Sequence, residues 1–286
     1  MLALPKISVV TPSFNGIHTI RATIASVARQ DYPSFEHIVV DGGSTDGTLE
    51  VLKSAPGLTW VSEHDEGHYH AMDKGARMAS GELVIILNAD DCLRPGVLAE
   101  VGAAYAKHPE WDGVFGDVVY VDGEGREIFR REEAMFDPQV IRFGHNIINH
   151  QTLFLKRAVL LRVGGYRYKD YKNCCDYELV MRLVQAGCYI GHIPVYIVDY
   201  RYHDHGQSAD LRVRDNMMRE SKLIQKEYGV PGGLLGRVLQ VYARLKRQAE
   251  KLFLLGKCDL IPGDLLLRKH LRAKTSFSSN IGVDKL

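Results

Sequence analysis

Apolar positions in the first ninety residues fall into short runs, and each run ends in a polar cluster. Residues 7–10 lead into Thr11, Pro12, Ser13 and Asn15, and residues 37–40 into Asp41-Gly42-Gly43-Ser44-Thr45-Asp46-Gly47. Residues 58–61 lead into Ser62, Glu63, His64 and Asp65, and residues 83–87 into Asn88, Asp90 and Asp91. Such short runs, rich in β-branched residues, predict buried strands. Between them, residues 16–30, 46–53 and 67–79 predict helices. Strands alternating with helices build right-handed βαβ units and a parallel sheet. Ligands of such sheets bind outside the carboxyl ends of the strands. Four strands that all place polar and acidic residues there predict a nucleotide site.

The fourth ending carries the sharpest chemistry. Carboxylates at the end of a buried strand are costly unless a cation offsets them. Mn²⁺ or Mg²⁺ held by one or two carboxylates and substrate phosphates is one reading of Asp90 and Asp91. A solvated turn capping the next helix is the other. Further along, Val118-Val119-Tyr120-Val121 and the Asp122-Gly123-Glu124-Gly125 turn predict a hairpin. A helix is expected over residues 177–186 and a strand over 189–198.

The pattern changes again near the C-terminus. Leu235, Tyr242 and Ala249 recur at sevens, as do Val238, Leu245 and Leu252, with Arg237, Arg244, Lys246, Arg247 and Lys251 around them. Residues 212–286 hold 16 Lys/Arg against 7 Asp/Glu, a net +9, whereas residues 1–211 carry −8. A basic amphipathic helix can lie on an anionic membrane surface. It can equally dock its stripe on the acidic body or on a second subunit, leaving its cations solvated.

Composition narrows the class. A chain of 286 residues with 45% hydrophobic content buries a substantial core. No apolar run approaches the roughly 18 residues of a membrane span, and no export signal opens the sequence. Five cysteines without paired C-x-x-C spacing fit neither a disulfide framework nor a zinc site. The expected setting is cytoplasmic, peripheral at the inner face of the membrane. No Gly-x-Gly-x-x-Gly follows a strand, which disfavours a Rossmann dehydrogenase. The basic segment has few aromatics and no recognised module, so no nucleic-acid partner is expected.

Taken in order, the motifs resemble the family 2 glycosyltransferases, and within them the bacterial branch that builds O-antigens and related surface polysaccharides. The carrying residues are Val9 to Asn15, Asp41 to Thr48, Ser62 to Gly75, Leu87-Asn88-Ala89-Asp90-Asp91, Asn149-His150-Gln151-Thr152 and Asp176 to Leu183. The resemblance covers roughly residues 5–210. It implies the α/β GT-A fold: a Rossmann-like, mostly parallel central sheet flanked by helices, here with a helical C-terminal extension. Residues 1–211 would be the catalytic domain, 1–117 its nucleotide-sugar half and 118–211 its acceptor half, with 212–286 as the basic tail.

The resemblance also implies roles. Thr11, Ser13 and Asn15 would line the base and ribose pocket. Asp41 would accept a hydrogen bond from base or ribose, the alternative being a turn residue. Asp65 would contact the nucleotide, and Lys74 or Arg77 a phosphate, unless both face solvent. Asn88-Ala89-Asp90 stands where the family has Asp-x-Asp. Asp90 would then hold Mn²⁺ or Mg²⁺, and Asn88 a ribose. Asp176 would be the base that deprotonates the acceptor; the alternatives are a helix cap at Asp176 or Glu178 as the base. His150 would orient the acceptor or support its loop. In the segment Arg201-Tyr202-His203-Asp204-His205, His205 or His203 would join the metal, the alternative being a plain surface loop, and Arg201 would pair with the diphosphate.

The function so implied is inverting transfer of a sugar from a nucleotide-sugar donor to a saccharide or lipid-linked acceptor. Two alternatives stand beside it. A sugar nucleotidyltransferase would need a basic phosphate loop after the first strand, and Thr11 to Gly16 has no Lys or Arg. A non-catalytic nucleotide-sugar-binding protein is suggested by Asn88 in place of an acid.

Overall fold

The computed structural model describes residues 4–144, 146–202 and 211–256. In chain order the first half contains β1 (Ile7–Ser13), α1 (Ile20–Ala28), β2 (Phe35–Asp41), α2 (Thr48–Ser54), β3 (Leu58–Ser62), α3 (His68–Met78), β4 (Leu83–Ile86), β5 (Cys92–Leu93) and α4 (Val97–Lys107). There follow β6 (Gly113–Val121), β7 (Glu127–Arg131), α5 (Pro138–Phe143), a 3₁₀ turn (His150–Thr152), β8 (Leu153–Lys156), α6 (Arg157–Arg162), α7 (Cys175–Gln185), β9 (Ile190–Arg201), α8 (Leu211–Glu227) and α9 (Gly233–Leu255). The strands form one sheet in the order β3-β2-β1-β4-β8-β6-β9-β5, with β7 added to β6.

Helices cover both faces, which is why the strands read as continuous apolar runs. Val10, Val84 and Ile86 pack with α3, α5, α6 and α7. Val9, Leu83 and Ile85 pack with α4 and with Val27 of α1. Contact with α3 is closest at Gly75, where a Cβ would lie 2.2 Å from Val10 Cγ1. Only glycine fits there, and its absence of side chain lets α3 lie flat with its N-terminus at the carboxyl edge of the sheet.

Pairing is parallel along β3-β2-β1-β4 and between β6 and β9. It is antiparallel for β8 with β4 and β6, for β7 with β6 and for β5 with β9. The sheet is therefore mixed: the parallel units that the runs of the first ninety residues predict are β3-β2-β1-β4, and the antiparallel pairings are made by later strands. The difference centres on β8, four residues after a 3₁₀ turn, too short for periodicity to assign. The boundary expected at residue 117 falls inside β6, so both halves share one sheet.

One core contact sets an acid sensitivity. Thr11 and His37 are both buried, and Thr11 Oγ1 lies 2.9 Å from His37 Nε2. Burial pushes His37 from 6.5 down to about 3, so the folded state keeps it neutral. Between those values the unfolded chain binds the extra proton, and stability falls as pH falls through that window. At about pH 5 the cost is on the order of 2 kcal/mol. Urea midpoints at pH 5 and 7.5 should differ by less in His37→Gln than in the parent.

The C-terminal extension is built into the body. Ile224 of α8 joins the core, and Glu220 accepts the N–H groups of Lys172, Asn173 and Cys174 at 3.1, 2.8 and 2.9 Å. α9 lies against α5 in the reverse of the orientation a docked stripe would take. Lys246 pairs with Asp137 at 2.5 Å, Arg247 with Glu133 at 2.6 Å, and Lys251 donates to the Glu132 carbonyl. The cations face the acidic body; Leu235, Val238, Tyr242, Leu245 and Leu252 are exposed.

Candidate active site

At the carboxyl edge Ser13, Asp41 and Ser62 lie in register across β1, β2 and β3. Asp41 is fully buried and accepts from Gly43 N, Ser44 N, Ser62 Oγ and Ser44 Oγ at 3.0, 2.8, 2.7 and 2.5 Å. Its carboxylate organises the glycine turn, which is the alternative the sequence left open. Asn15 adopts φ 50°, a left-handed conformation that asparagine tolerates. Its Oδ1 accepts from Thr45 N at 3.0 Å and its N–H donates to Ser44 Oγ at 2.7 Å, lacing the β1 and β2 loops together. Thr11 is buried, with its Oγ1 against His37 Nε2. Asp46 precedes Gly47, the N-cap residue of α2, and accepts from Thr48 N at 3.0 Å.

The loop after β3 supplies the next wall. Asp65 Oδ2 would lie 3.3 Å from a Cβ on Gly42, so this carboxylate faces the glycine turn. Lys74 Nζ sits 2.5 Å from Asp65 Oδ1 and 2.9 Å from Glu63 Oε1. Burial lowers the Lys74 pKa less than its two carboxylates raise it, and the net shift is upward. Arg77 pairs with Asp73 at 2.7 Å. Both cations expected at a phosphate are therefore held by carboxylates of α3 and its entry loop. Among the described residues, the buried atoms without a hydrogen-bond partner include Ser13 Oγ, Asp65 Oδ2 and His150 Nε2, besides Arg157 Nε and Tyr177 Oη elsewhere. Orphaned buried polar atoms are rare, and the first three belong to the predicted ligand-binding segments.

The acidic turn after β4 divides its labour. Asp91 is buried, and its carboxylate accepts from Arg201 N at 2.8 Å and Gln151 Nε2 at 3.0 Å. Burial and the neighbouring Asp90 charge push its pKa well up, against the pull of Arg201 and Gln151. Asn88 and Asp90 are half-buried beside it. The Arg201 guanidinium donates to the Asp90 and Gly123 carbonyls at 3.1 and 2.5 Å, fixing a cation alongside. Asp91 is thus structural and Asp90 the candidate ligand. No cluster of three or more metal-ligating side chains occurs among the described residues. One carboxylate plus donor phosphates still satisfies Mg²⁺ or Mn²⁺, and a cation there would offset the Asp90–Asp91 repulsion. His203 and His205 lie outside the described residues.

Asp176 sits one residue inside α7 and does not cap it; Cys174 is the N-cap residue. Tyr69 Oη donates to Asp176 Oδ1 at 2.7 Å, and His150 Nδ1 lies 3.4 Å from Oδ2. Burial pushes the Asp176 pKa up, but His150 and Tyr69 together hold it below the usual carboxylate value. Burial also lowers His68 to about 4, with His150 adding to the effect, so the base is flanked by a neutral imidazole. Glu178, the rival base, is fully buried and pairs with Arg182 at 2.7 Å and Arg167 at 3.3 Å. Those pairs tie it to the packing of α7. Cys174 and Cys175 are buried, and burial lifts the Cys174 thiol to about 12, consistent with packing.

Two residues bring the acidic centres together. Gln151 bonds Asp91 while its neighbour His150 faces Asp176, so the 3₁₀ turn before β8 spans the interval between metal candidate and base. The importance of Tyr69 and Gln151 escaped the sequence reading, although both lie within quoted motifs. Only the insertion of β8 beside β4 brings them to this edge.

Comparisons with known proteins accord with this geometry. A glycosyltransferase of PGL/p-HBAD biosynthesis from Mycobacterium bovis (strain BCG / Pasteur 1173P2) is 34% identical over 187 residues, 63% of this chain and 70% of that protein. The O-antigen biosynthesis protein RfbC of Myxococcus xanthus is 32% identical over 203 residues, 67% of this chain but 16% of that protein. Among solved structures, S. aureus TarS 1-349 in complex with UDP matches with TM-score 0.61 and 18% identity, covering 87% of this chain and 72% of that one. The mannosyltransferase PcManGT from Pyrobaculum calidifontis, in complex with GDP-Man and Mn²⁺, matches with TM-score 0.57 and 20% identity, covering 95% and 81%. These neighbours show the fold to be GT-A. The family model described as "Glycosyl transferase family 2" spans residues 8–166, more than half of the chain, and the chain belongs to that family.

Proposed function

We propose that this protein is an inverting, metal-dependent hexosyltransferase. It moves a sugar from a nucleotide-sugar donor to a saccharide or lipid-linked acceptor in cell-surface polysaccharide biosynthesis. It would act in the cytoplasm, peripherally at the inner face of the membrane. The observation that carries this reading is the His150–Gln151 link between the Asp90–Asp91 turn and Asp176. It couples a donor-phosphate site to a base across a few side chains.

In this mechanism Ser13, Asn88 and Asp65 contact the donor nucleoside, with Asn15 and Asp41 shaping their loops. Asp90 would hold Mn²⁺ or Mg²⁺, which when bound supplies charge neutralisation for the departing diphosphate. Asp176 takes the proton of the acceptor hydroxyl as that oxygen attacks the anomeric carbon opposite the leaving group. Tyr69 and His150 hold the carboxylate in place, and Lys74 holds Asp65 against the glycine turn. The TarS and PcManGT complexes with UDP and GDP-Man support a nucleotide-sugar donor. The mycobacterial and RfbC relatives support a glycoconjugate product.

Asp176 works only when ionised, which fixes a pH signature. Removing His150 deletes the largest influence opposing burial. In His150→Ala the Asp176 pKa therefore rises and the acid limb of kcat/KM moves to higher pH, while the basic side is unchanged. Tyr69→Phe moves it the same way. An acid limb that stays in place in both variants would remove Asp176 from the role of base. The test of the whole reading is transfer itself: product from a nucleotide-sugar and acceptor panel, with nucleoside diphosphate released. Release of pyrophosphate from a sugar phosphate and a nucleoside triphosphate would favour the nucleotidyltransferase instead.

A further inference from the structure

Amphipathic helices ordinarily bury the apolar stripe and solvate the charges; α9 does the reverse. Lys246, Arg247 and Lys251 point into the body, where Glu133 is buried and its pKa is lowered because Arg131, Arg247 and Lys251 outweigh its desolvation. Ala243 is buried on that face, 3.2 Å from where a Cβ on Gly144 would lie. On the opposite face, Leu234, Leu235, Val238, Leu245, Leu252 and Phe253 are exposed, Phe253 to 89%. With Val241 and Tyr242 they cover an arc of about 120° along a helix about 34 Å long. Exposed apolar surface of this extent marks an interaction site.

We propose that this outward stripe of α9 is an interfacial membrane helix, which seats the acidic catalytic body on an anionic lipid bilayer. The inference rests on the peripheral-membrane part of the function proposed above. Two observations favour lipid over a second copy of the chain. The arc adds a third row at sevens, Leu234 and Val241, and Phe253 to the two rows named above, wider than the two-position seam of a helix pair. Arg237 and Arg244, one heptad apart, are exposed along one flank of the arc, where anionic headgroups would meet them. No described helix is long and apolar enough to cross a membrane, so contact of this face with lipid would be interfacial.

The arrangement alters what holds the protein to lipid. A basic tail would bind by charge and be stripped by salt. Here three of the five cations that the sequence places around the stripe are engaged by the body, so apolar insertion carries the attachment and Arg237 and Arg244 bias it towards anionic lipid.

The test is flotation of the full-length chain with vesicles of phosphatidylcholine alone or with about 30% phosphatidylglycerol. Wild type should float with the anionic vesicles and keep a substantial bound fraction in about 0.5 M NaCl. Leu245→Glu with Leu252→Glu, both at exposed positions, should lower binding at least tenfold. Arg237→Glu with Arg244→Glu should abolish the preference for anionic vesicles. Nucleotide binding should be unchanged in both variants, which separates loss of this surface from failure of the active-site reading. Flotation unaffected by the Leu245/Leu252 variant would overturn the proposal. So would absence of flotation together with a dimer in sedimentation that the same variant dissociates.

Discussion

Asp176→Asn is expected to lower kcat by about 10³-fold while leaving donor-nucleotide affinity within twofold of wild type. A positioned general base contributes roughly 10²–10⁴. Tyr69 is a hydrogen donor whose pKa is pushed far up by burial and by Asp176, so it stays protonated. His150 approaches Asp176 with Nδ1 and leaves Nε2 without a partner. The amide preserves shape and one acceptor oxygen, so Tyr69 keeps its hydrogen bond. Steady-state kinetics with a saturating donor, beside calorimetry of the nucleoside diphosphate, separate the base from a folding role. A variant that retains more than a tenth of wild-type kcat would transfer the role elsewhere, since Glu178 is locked to Arg182 and Arg167.

Asp90→Ala is expected to reduce transfer by a further large factor, about 10²-fold or more, and to raise the metal concentration needed for half-maximal rate. The loss here should fall on donor binding as well as on kcat, because a cation held by Asp90 would neutralise diphosphate charge in the bound donor as well as during its departure. Asp91→Ala should behave differently. Its carboxylate holds the Arg201 backbone and Gln151, so the damage should register as lost stability alongside lost activity. Thermal melts of the two variants with Mn²⁺ and nucleoside diphosphate make the distinction. Asp90→Ala should match wild type without ligand and lose the ligand-induced stabilisation, whereas Asp91→Ala should melt lower in both conditions.

The βα units of the first ninety residues are legible because each strand is buried on both faces and punctuated by polar loops. Runs of this kind leave little choice of element. β8 is not legible in the same way: Leu153-Phe154-Leu155-Lys156 is short, and its antiparallel insertion between β4 and β6 is a tertiary choice. That choice also creates the His150–Gln151 link, so the site's residue types could be read from sequence while their connections could not. Lys74 illustrates a related limit. A lysine near a nucleotide loop suggests a phosphate contact, yet Asp65 and Glu63, close in sequence, claim it first. For α9, periodicity identifies which residues share a face and is silent about which face is buried. Glu133 and Asp137 decide that by drawing the cations inward.

The most direct measurement is calorimetric titration of the wild-type protein with UDP, GDP and dTDP, each with and without Mn²⁺. The account predicts that one nucleotide binds, that Mn²⁺ strengthens it by at least tenfold, and that Asp90→Ala abolishes the metal effect. Absence of binding by all three in the presence of Mn²⁺ would contradict a nucleotide-sugar site at this sheet edge. Binding indifferent to both metal and mutation would contradict the role assigned to Asp90.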